Sequence, residues 1–532
     1  MYDFALSKSS FHSCKEKCYG IYVFKRTNYK NNQELNMGTD SNRSTIKLSQ
    51  SKLDVNDPDL RVVFEDLQGN ILKSHGRSHS LHLFLQFTSE DSDKSREWIG
   101  KISSRLTSAF EQHQTALDFK ESGQEHLFTG LMLSYSGFQA LGIDDEEIPD
   151  DKAFRAGMKN IEFRYDTGPG GVHKRTINPL NDNPENWEEP FKENIDALAI
   201  LAYGGESLDP TTCEDHLNEE LERIKEEVEG VATILSVEKG YTLRNEKGNV
   251  IEHFGFEDGI SNPVFFKADF QRWEEKEGTE YYDPSAPFGL IAVNDPGGSS
   301  TETSFGSYYV YRKMQQNIKG FNDQTKQFGA LISKEVGREV DQELAGALAF
   351  GRFKDGTLVT TNPNKTAKPL NNFNYDEDVE GLGCPFQSHI RKTNPRGDTN
   401  RKNKIPMRSE RSHRIARRGI SYGSKDLNPS SEWTDAGLLF LSCQSDIEQQ
   451  FLVMQCGWSD NPNFVVEGTG TDPITGEQNA GDGKAAKKWQ LQMDGKEVSI
   501  DFKYQNLVKI RGGEYFFAPS ISFCKKFNIN HS

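Results

Sequence analysis

The chain has 532 residues, of which 34% are hydrophobic and 27% are charged, and its formal net charge is −17. This length exceeds one typical domain, so two or more cores are expected. The negative charge disfavours binding to nucleic acid or to anionic membranes. No stretch approaches the roughly 20 apolar residues of a membrane helix, and the N-terminus lacks the apolar centre of a secretory signal. We therefore expect a cytoplasmic protein, with secretion left open.

The cysteines do not indicate a disulfide framework. There are seven, at positions 14, 18, 213, 384, 443, 456 and 524. An odd number with irregular spacing is typical of reduced thiols rather than of paired cysteines.

The first half of the chain predicts one α+β domain. Residues 1–56 are interpreted as a polar extension. The apolar patterns then predict a strand at 81–87, a helix over 92–118, strands at 131–135 and 197–203, a helix carrying Leu217, Leu221, Ile224 and Val228, and a hairpin over 231–255 that turns at 245–248. This order of strands and helices is ferredoxin-like. We assign it to a domain at 57–285, with a loop region over 150–193.

The second half repeats the order of elements without repeating the sequence. Its patterns predict strands at 306–312 and 437–442, helices at 335–350 and 447–458, and a closing segment at 512–520. Residues 355–415 show little periodicity, and a connection of that length inside a compact fold is usually functional or disordered. We assign a second ferredoxin-like domain to 286–525 and a tail to 526–532.

Three short strings carry the chemistry. The string GFEDG at 255–259 sets Asp258 between glycines, where a ligand can approach the backbone, although Asp-Gly is also an ordinary turn signal. The second string is CPFQSHIRKTNPR at 384–396, and the third is RRGISYG at 417–423. Together with LQGNILK at 67–73, these strings resemble the dye-decolorizing peroxidases, over about residues 58–525.

The resemblance implies a fold, a cofactor and a reaction. The fold would be α+β, with two ferredoxin-like domains of the dimeric α/β-barrel superfamily and haem in the second domain. The cofactor would be one haem b per chain. The reaction would use hydrogen peroxide to oxidise aromatic substrates or dyes in one-electron steps, and the oligomeric state stays open.

Three residues receive the central roles by this resemblance. His389 would ligate the haem iron, as a neutral imidazole can; the Cys384 thiolate is the rival ligand. Asp258 would be the acid–base group that moves a proton between the peroxide oxygens, whereas Glu257 stands at a position that the family leaves free. Arg417 would stabilise the negative charge that develops on the departing oxygen; its neighbour Arg418 would point elsewhere if the segment is a strand.

Further residues receive supporting roles. Arg396 is the candidate for binding a haem propionate, because a guanidinium matches a carboxylate. Asp472, in GTGTDPITG at 468–476, resembles the acidic partner of the iron-ligating histidine, and Asp482 competes for that role. Tyr422 is a candidate surface residue for electron transfer from bulky substrates. Leu439 and Phe440 either line the pocket above the haem or belong to the ordinary core.

Two alternative functions remain at this stage. The first is haem handling, in which a haem-binding protein carries haem or releases its iron, as a deferrochelatase does. The second is an interaction protein that has lost the cofactor, and the retention of all three central residues argues against it.

Overall fold

A computed structural model describes most of the chain after residue 45. The described residues are 46–88, 92–160, 180, 182–205, 208–360, 371–476 and 488–528. Leu53, within the predicted N-terminal extension, is 1% exposed, and its backbone N–H donates to the Phe265 carbonyl at 2.8 Å. Packed chain therefore begins before residue 57, and the predicted domain limits stay a prediction.

The strands of the described residues form one large sheet and a separate two-stranded hairpin. The strands of the large sheet are β1 (His79–Phe87), β2 (Phe128–Leu133), β3 (Ala197–Tyr203), β4 (Ala232–Tyr241), β5 (Val293–Asn294), β6 (Phe305–Gln316), β7 (Ala416–Arg417), β8 (Ile420–Gly423), β9 (Ala436–Gln444) and β12 (Val508–Ala518). The hairpin strands are β10 (Lys488–Met493) and β11 (Lys496–Asp501).

Helices surround the sheet. The α-helices are α1 (Arg61–Asp66), α2 (Ser92–Ser103), α3 (Ala109–Ser122), α4 (Tyr135–Ala140), α5 (Lys152–Ala156), α6 (Glu189–Lys192), α7 (Pro210–Glu227), α8 (Lys267–Glu277), α9 (Ile318–Val336), α10 (Gln342–Phe350), α11 (His389–Thr393), α12 (Asp398–Asn403), α13 (Met407–Ser412) and α14 (Ile521–Lys525). Short 3-10 helices span Asp145–Glu147, Pro184–Asn186 and Phe288–Leu290, and a π-helix spans Ile447–Ser459.

The large sheet consists of two ferredoxin-like halves. The first half has the strand order β4-β1-β3-β2, and the second has the order β12-β6-β9-β8. Both orders place the fourth strand of the half at one edge, next to its first, and both are antiparallel. The predicted fold class, α+β with two ferredoxin-like domains, is therefore confirmed.

Two short pairings join the halves. Strand β12 meets β2 through Phe517 and Leu133, and β4 meets β8 through two residue pairs, Gly240 with Tyr422 and Tyr241 with Ser421. Since β6 pairs with both β12 and β9, eight strands of the described chain close into a ring. Closure removes the free strand edges that two separate sheets would expose.

The core packs the two halves against each other. The Phe84 ring of β1 lies 4.9 Å from the Tyr311 ring of β6 and 6.5 Å from the Phe516 ring of β12, between centroids. A second cluster lies between α9, α10 and the β10–β11 hairpin. There the Phe256 ring, two residues before Asp258, stacks on Phe350 of α10 at 3.7 Å. This contact fixes the GFEDG string against the helix that also meets His389.

We expect replacement of Phe84 by Ala to destabilise the fold by about 3–5 kcal/mol, since the side chain is 0% exposed and its removal leaves a cavity between the halves. The free energy of unfolding from urea titrations would measure this effect. The control is Val62→Ala, because Val62 is 49% exposed and a surface change of this kind stays within about 0.5 kcal/mol. A Phe84→Ala variant as stable as the control would contradict this account of the core.

Several predicted elements need correction. The helix predicted over 92–118 is two helices, because Ser108 begins α3 by accepting a hydrogen bond from the Glu111 N–H. The predicted hairpin over 231–255 is only β4 followed by a tight turn with an isolated Arg244–Val250 bridge, since β4 pairs with β1. Helix α10 begins at Gln342 rather than near 335, and α9 was not predicted. The strand predicted at 131–135 is β2, which ends at Leu133, and Tyr135 already begins α4. The loop region predicted over 150–193 contains α5 and α6. The other predicted strands and the helix around Leu217 are confirmed.

Candidate functional site

One cavity brings together the residues that the three sequence strings single out. Asp258, His389 and Arg417 all line it, as do Glu257, Arg396 and Phe440. Its empty space is about 1620 Å³ when the part open to solvent is included. Its apolar walls carry Met314, Phe350, Phe353, Phe373, Ile390, Leu438, Phe451 and Met454. The cavity therefore suits a large, mostly apolar ligand with a few polar contacts.

Asp258 and Arg417 form an ion pair at this cavity. The Arg417 Nη1 donates to Asp258 Oδ1 at 2.5 Å, and the Gly259 N–H donates to the same oxygen at 2.6 Å. The side-chain Oδ1 of Asn262 accepts the backbone N–H of Arg417 at 3.0 Å and so positions the arginine. Within the described residues, Asp258 Oδ2 has no hydrogen-bond partner. One carboxylate oxygen is therefore anchored and the other is available.

The electrostatics of the pair favour an ionised Asp258. Burial alone raises the pKa of Asp258, but the positive charge of Arg417 and the hydrogen bonds to the carboxylate outweigh burial and bring the pKa below its usual value. Asp258 is thus a base under neutral and mildly acidic conditions.

His389 is the first residue of α11 and is held by Asp472. Its Nδ1 lies 2.8 Å from Asp472 Oδ2. The opposite oxygen, Oδ1, accepts the backbone N–H groups of Ile474 at 2.8 Å and Thr475 at 3.1 Å. Burial opposes ionisation of Asp472, but the nearby His389 and these hydrogen bonds lower its pKa. An ionised Asp472 fixes the imidazole proton on Nδ1, which leaves the Nε2 lone pair free.

Of the two candidate partners for His389, the structure shows Asp472 in contact with the imidazole. Asp472 is 0% exposed and bonded to His389, whereas Asp482 lies outside the described residues. Sequence reasoning found Asp472 only because of the family string, since 83 residues separate it from His389.

The second arginine of the RRG string turns away from the cavity. The Arg418 guanidinium donates to the carbonyls of Asn70 and Ile71, each at 2.7 Å. This agrees with the alternation of a strand. Glu257, next to Asp258, accepts the Asn249 Nδ2 at 2.5 Å.

Four arginines line the cavity: Arg352, Arg396, Arg414 and Arg417. Arg396 is 3% exposed, and its ring-flanked guanidinium lies 3.8 Å from the centroids of both Tyr282 and Phe373. It donates to the Asn371 carbonyl at 2.7 Å and to the Asn371 Oδ1 at 2.6 Å. Much of its hydrogen-bonding capacity is therefore used by the protein itself.

Burial and repulsion between the positive charges both lower pKa values within this arginine cluster. Burial lowers the pKa of Arg352 to about 10, with the charge of Arg396 adding to the effect, and burial also lowers the pKa of Arg396. An anionic ligand in the cavity would relieve both effects.

Sequence reasoning missed Arg352, Arg414 and Glu252 of this cavity. Arg414 lies in the basic run near 402–418, which was a usable signal, whereas Arg352 stands in no motif. Glu252 also lines the cavity; burial raises its pKa to about 7, and its carboxylate accepts the Gln316 Nε2 at 2.5 Å.

Three other predictions have clear outcomes. Tyr422 is 4% exposed, so its predicted surface position is wrong: it lies on β8 at the junction of the two sheet halves. Cys384 is buried outside the lining of the cavity, and burial raises the pKa of its thiol to about 11, which disfavours the thiolate. On β9, Phe440 lines the cavity, whereas Leu439 belongs to the core.

The fold and the cavity define a class of protein: two ferredoxin-like halves with a deep cavity that presents a histidine–aspartate pair and an aspartate–arginine pair. Comparison with known proteins identifies the family. Residues 251–464 match the family model described as Dyp-type peroxidase, C-terminal. The chain belongs to the dye-decolorizing peroxidases and is a DyP-type peroxidase.

Individual relatives are similar to this chain over most of their own length. The chain is 32% identical to the "Multifunctional dye peroxidase DyP2" of Amycolatopsis sp., over 87% of this chain and 96% of the relative. It is 29% identical to the "Dye-decolorizing peroxidase msp1" of Mycetinis scorodonius, over 86% of each. The crystal structure of the DyP-type peroxidase AnaPX of Anabaena sp. superposes with a TM-score of 0.78 at 37% identity, covering 92% of this chain and all of that one.

Among the described residues, no helix combines the length and the apolar character that crossing a bilayer needs.

Proposed function

We propose that this enzyme binds one haem b in the cavity and uses hydrogen peroxide to oxidise aromatic substrates, including dyes, in one-electron steps. One observation carries the proposal: Asp258, Arg417 and His389 line the same cavity. Asp258 stands 159 positions before Arg417 in the sequence, and the fold brings the two side chains into contact.

The residues present fit a haem. The His389 Nε2 is free to ligate iron, because Nδ1 is bound to Asp472. The apolar walls match a porphyrin ring, and the cluster of arginines matches two propionates. We assign Arg396 and Arg414 to the propionates through their positive charge, to which Arg352 adds, because protein oxygens already accept hydrogen bonds from the guanidinium groups of Arg396 and Arg414.

We assign the proton transfer to Asp258. Bound haem would supply the iron that binds hydrogen peroxide and the two electrons that cleavage of its O–O bond requires. Asp258 Oδ2 accepts a proton from the peroxide oxygen nearer the cofactor and returns it to the other oxygen, which leaves as water. Oδ1 stays bound to Arg417 and Gly259 meanwhile. Arg417 offers its remaining N–H groups to the departing oxygen and stabilises its negative charge.

The second candidate function is release of iron from haem. One stretch of the chain supports it: 106 residues are 39% identical to the "Deferrochelatase" of Yersinia pestis, covering 20% of this chain. The match is short, and the full-length relatives named above are peroxidases. We therefore rank this function second.

One experiment separates these functions. The absorption spectrum of purified, haem-supplemented protein would be recorded before and after one equivalent of hydrogen peroxide, and again after addition of a phenolic substrate. A peroxidase shows a Soret band that changes with peroxide and returns with substrate. Appearance of free iron and metal-free porphyrin without dye turnover would favour iron release, and absence of a Soret band would refute both proposals.

The pH dependence of the reaction with peroxide should report the Asp258–Arg417 pair. Because the pKa of Asp258 lies below its usual value, the active ionised form persists as the pH falls and is lost only when the pH passes that lowered pKa. In Arg417→Leu the opposing effect of burial prevails, so we expect the loss of activity to begin at a higher pH. At pH 7 the same variant should react about 10²–10³-fold more slowly.

Stopped-flow rates over the pH range would measure both effects. The control is Arg408→Gln, which removes an exposed charge from the same basic segment outside the cavity lining. If the reaction rate fell at the same low pH in the wild type and in Arg417→Leu, the assignment of Asp258 as the titrating base would be contradicted.

A further inference from the structure

The loop that carries Asp472 brings a second side chain to the site of His389. Thr475 follows Asp472 by three residues and, like His389, lines the cavity. Its hydroxyl donates a hydrogen bond to Asp472 Oδ2 at 2.9 Å. The same carboxylate oxygen lies 2.8 Å from His389 Nδ1. One oxygen of Asp472 is therefore shared by two donors, the imidazole and the threonine hydroxyl.

The other oxygen of Asp472 is occupied by the backbone of its own loop. Oδ1 accepts the N–H groups of Ile474 at 2.8 Å and Thr475 at 3.1 Å. Asp472 is 0% exposed. Because the carboxylate is shielded from bulk water, the donors that the protein supplies determine how its negative charge is divided between the two oxygens.

Contacts with the π-helix hold this loop in place. The Gln455 Nε2 donates to the Thr475 carbonyl at 2.9 Å, and the Ser459 carbonyl accepts the Asp472 N–H at 2.8 Å. Gln455 and Ser459 are both buried members of the π-helix. The position of the Thr475 hydroxyl is thus fixed by the fold itself and does not depend on a bound ligand.

Lys392 of α11 is a positive charge close to Asp472. It is 0% exposed, and its ammonium group donates to the carbonyls of Asn461, at 2.8 Å, and Phe464. These acceptors are backbone oxygens, and Lys392 acts on Asp472 through its charge. Thr475, by contrast, acts on the very oxygen that binds the imidazole.

A shared acceptor couples the two hydrogen bonds that it receives. The hydroxyl of Thr475 draws part of the negative charge of Oδ2 toward itself, so the pull of this oxygen on the Nδ1 proton of His389 is weaker than it would otherwise be. Without the hydroxyl, Oδ2 would hold that proton more strongly, and Nε2 would become a stronger electron donor. A stronger donor favours ferric iron, which has the higher charge, over ferrous iron.

We propose that Thr475 is a positioning residue that acts through Asp472 to set the donor strength of His389 toward haem iron. The inference rests on the function proposed above, because it requires haem that is ligated by His389. Thr475 is assigned no contact with peroxide or with the reducing substrate. Its effect should therefore appear in the reduction potential and the vibrational spectrum of the cofactor.

Thr475→Val tests the proposal, since valine keeps the shape of threonine and lacks the hydroxyl. In the haem-loaded enzyme the ratio of ferric to ferrous haem affinity should rise about fivefold, the effect of one ordinary hydrogen bond. This corresponds to a reduction potential about 40 mV more negative, at 59 mV for each tenfold change. The iron–histidine stretching band of the ferrous enzyme should move to higher frequency. Thr475→Ser, which retains the hydroxyl, should match the wild type in both measurements.

Thr469→Val is the matched control. Thr469 is also half-buried, and its hydroxyl also donates three residues back, but to the Val466 carbonyl at 2.7 Å and outside the cavity lining. This variant should keep the wild-type potential. If valine at position 475 does not permit haem binding, Thr475→Ala replaces it: the alanine variant should have the more negative potential and the serine variant the wild-type value.

A double-variant cycle tests whether the effect passes through Asp472. Asp472→Asn alone should make the potential less negative, because the charge that acts on Nδ1 is lost. Thr475→Val should then cause little further change in the Asp472→Asn background. A shift of full size in that background would show that Thr475 acts by another route, and would overturn the proposal.

Two kinds of failure can be distinguished. An unchanged potential and stretching band in Thr475→Val with haem bound, or an equal shift in Thr475→Ser, overturns the role of Thr475 and leaves the proposed peroxidase function intact. Absence of a Soret band in the haem-supplemented wild type, or an unaltered spectrum in His389→Gly, refutes the haem site itself, and the role of Thr475 is refuted with it.

Discussion

Replacement of Asp258 by Asn is expected to slow the reaction with hydrogen peroxide by about 10²–10⁴-fold, the usual contribution of a positioned acid–base group. The amide keeps the size of the carboxylate and is compatible with the Gly259 contact, but it cannot accept the peroxide proton. Since Asp258 is not a candidate iron ligand, the variant should bind haem as the wild type does. The rate at which peroxide changes the Soret band in stopped-flow measurements gives the result directly.

Glu257→Gln provides the matched control for this experiment. It removes the same charge one residue away, from a side chain that lines the same cavity but is bonded to Asn249. Its rate should stay within a few-fold of the wild type. If Asp258→Asn reacts as fast as Glu257→Gln, the proton passes through another group. Glu252 would then be the next candidate, because it lines the same cavity and has a pKa of about 7.

Local strings in the sequence singled out residues that the structure brings together, although their roles stay a prediction. Asp258, His389 and Arg417 each stand in a short motif, and the structure places all three at one cavity. Arg418 turns away from the cavity, as we expected for a strand, although β7 itself ends at Arg417. Arg352 could not be predicted, because its place in the cavity results from the packing of α10 and carries no local signal.

Tyr422 shows why burial is harder to predict than secondary structure. Its segment is extended in the structure, but the exposure of a strand residue depends on which strands pair with it. Strand β8 pairs with β9 and also with the end of β4 from the other half of the sheet, and this closure covers Tyr422. Only a few residue pairs join the two halves of the sheet, so no sequence pattern predicts where they meet.

The element order predicted two ferredoxin-like halves, but it did not predict how they join or where some helices begin. The break between α2 and α3 depends on the single Ser108 cap within a continuous amphipathic pattern. The missed helix α9 precedes the predicted one and ends at Gly337, whose φ of 77° is left-handed. Boundaries of this kind depend on one residue, whereas the order of elements depends on many.

Replacement of His389 by Gly is expected to have the largest effect on the cofactor. Loss of an outer partner of a metal ligand lowers metal affinity by about 10–100-fold, so loss of the ligand itself should weaken haem binding by more than about 100-fold. Removal of the imidazole also leaves Asp472 buried at 0% exposure without its histidine, which adds to the effect. Haem titration followed by the Soret band measures the affinity.

Rescue and graded variants separate ligation from a structural role. Free imidazole added to His389→Gly should occupy the space of the side chain and restore the Soret spectrum, which it would not do if His389 only supported the fold. Asp472→Asn should lie between wild type and His389→Gly, because the amide loses the charge that holds the Nδ1 proton while the ligand remains. His216→Ala, a change at a half-exposed histidine on α7, should leave haem binding unchanged. Haem binding by His389→Gly with wild-type affinity and spectrum would mean that another residue ligates the iron, and the two faces of the proposed site would have to be assigned anew.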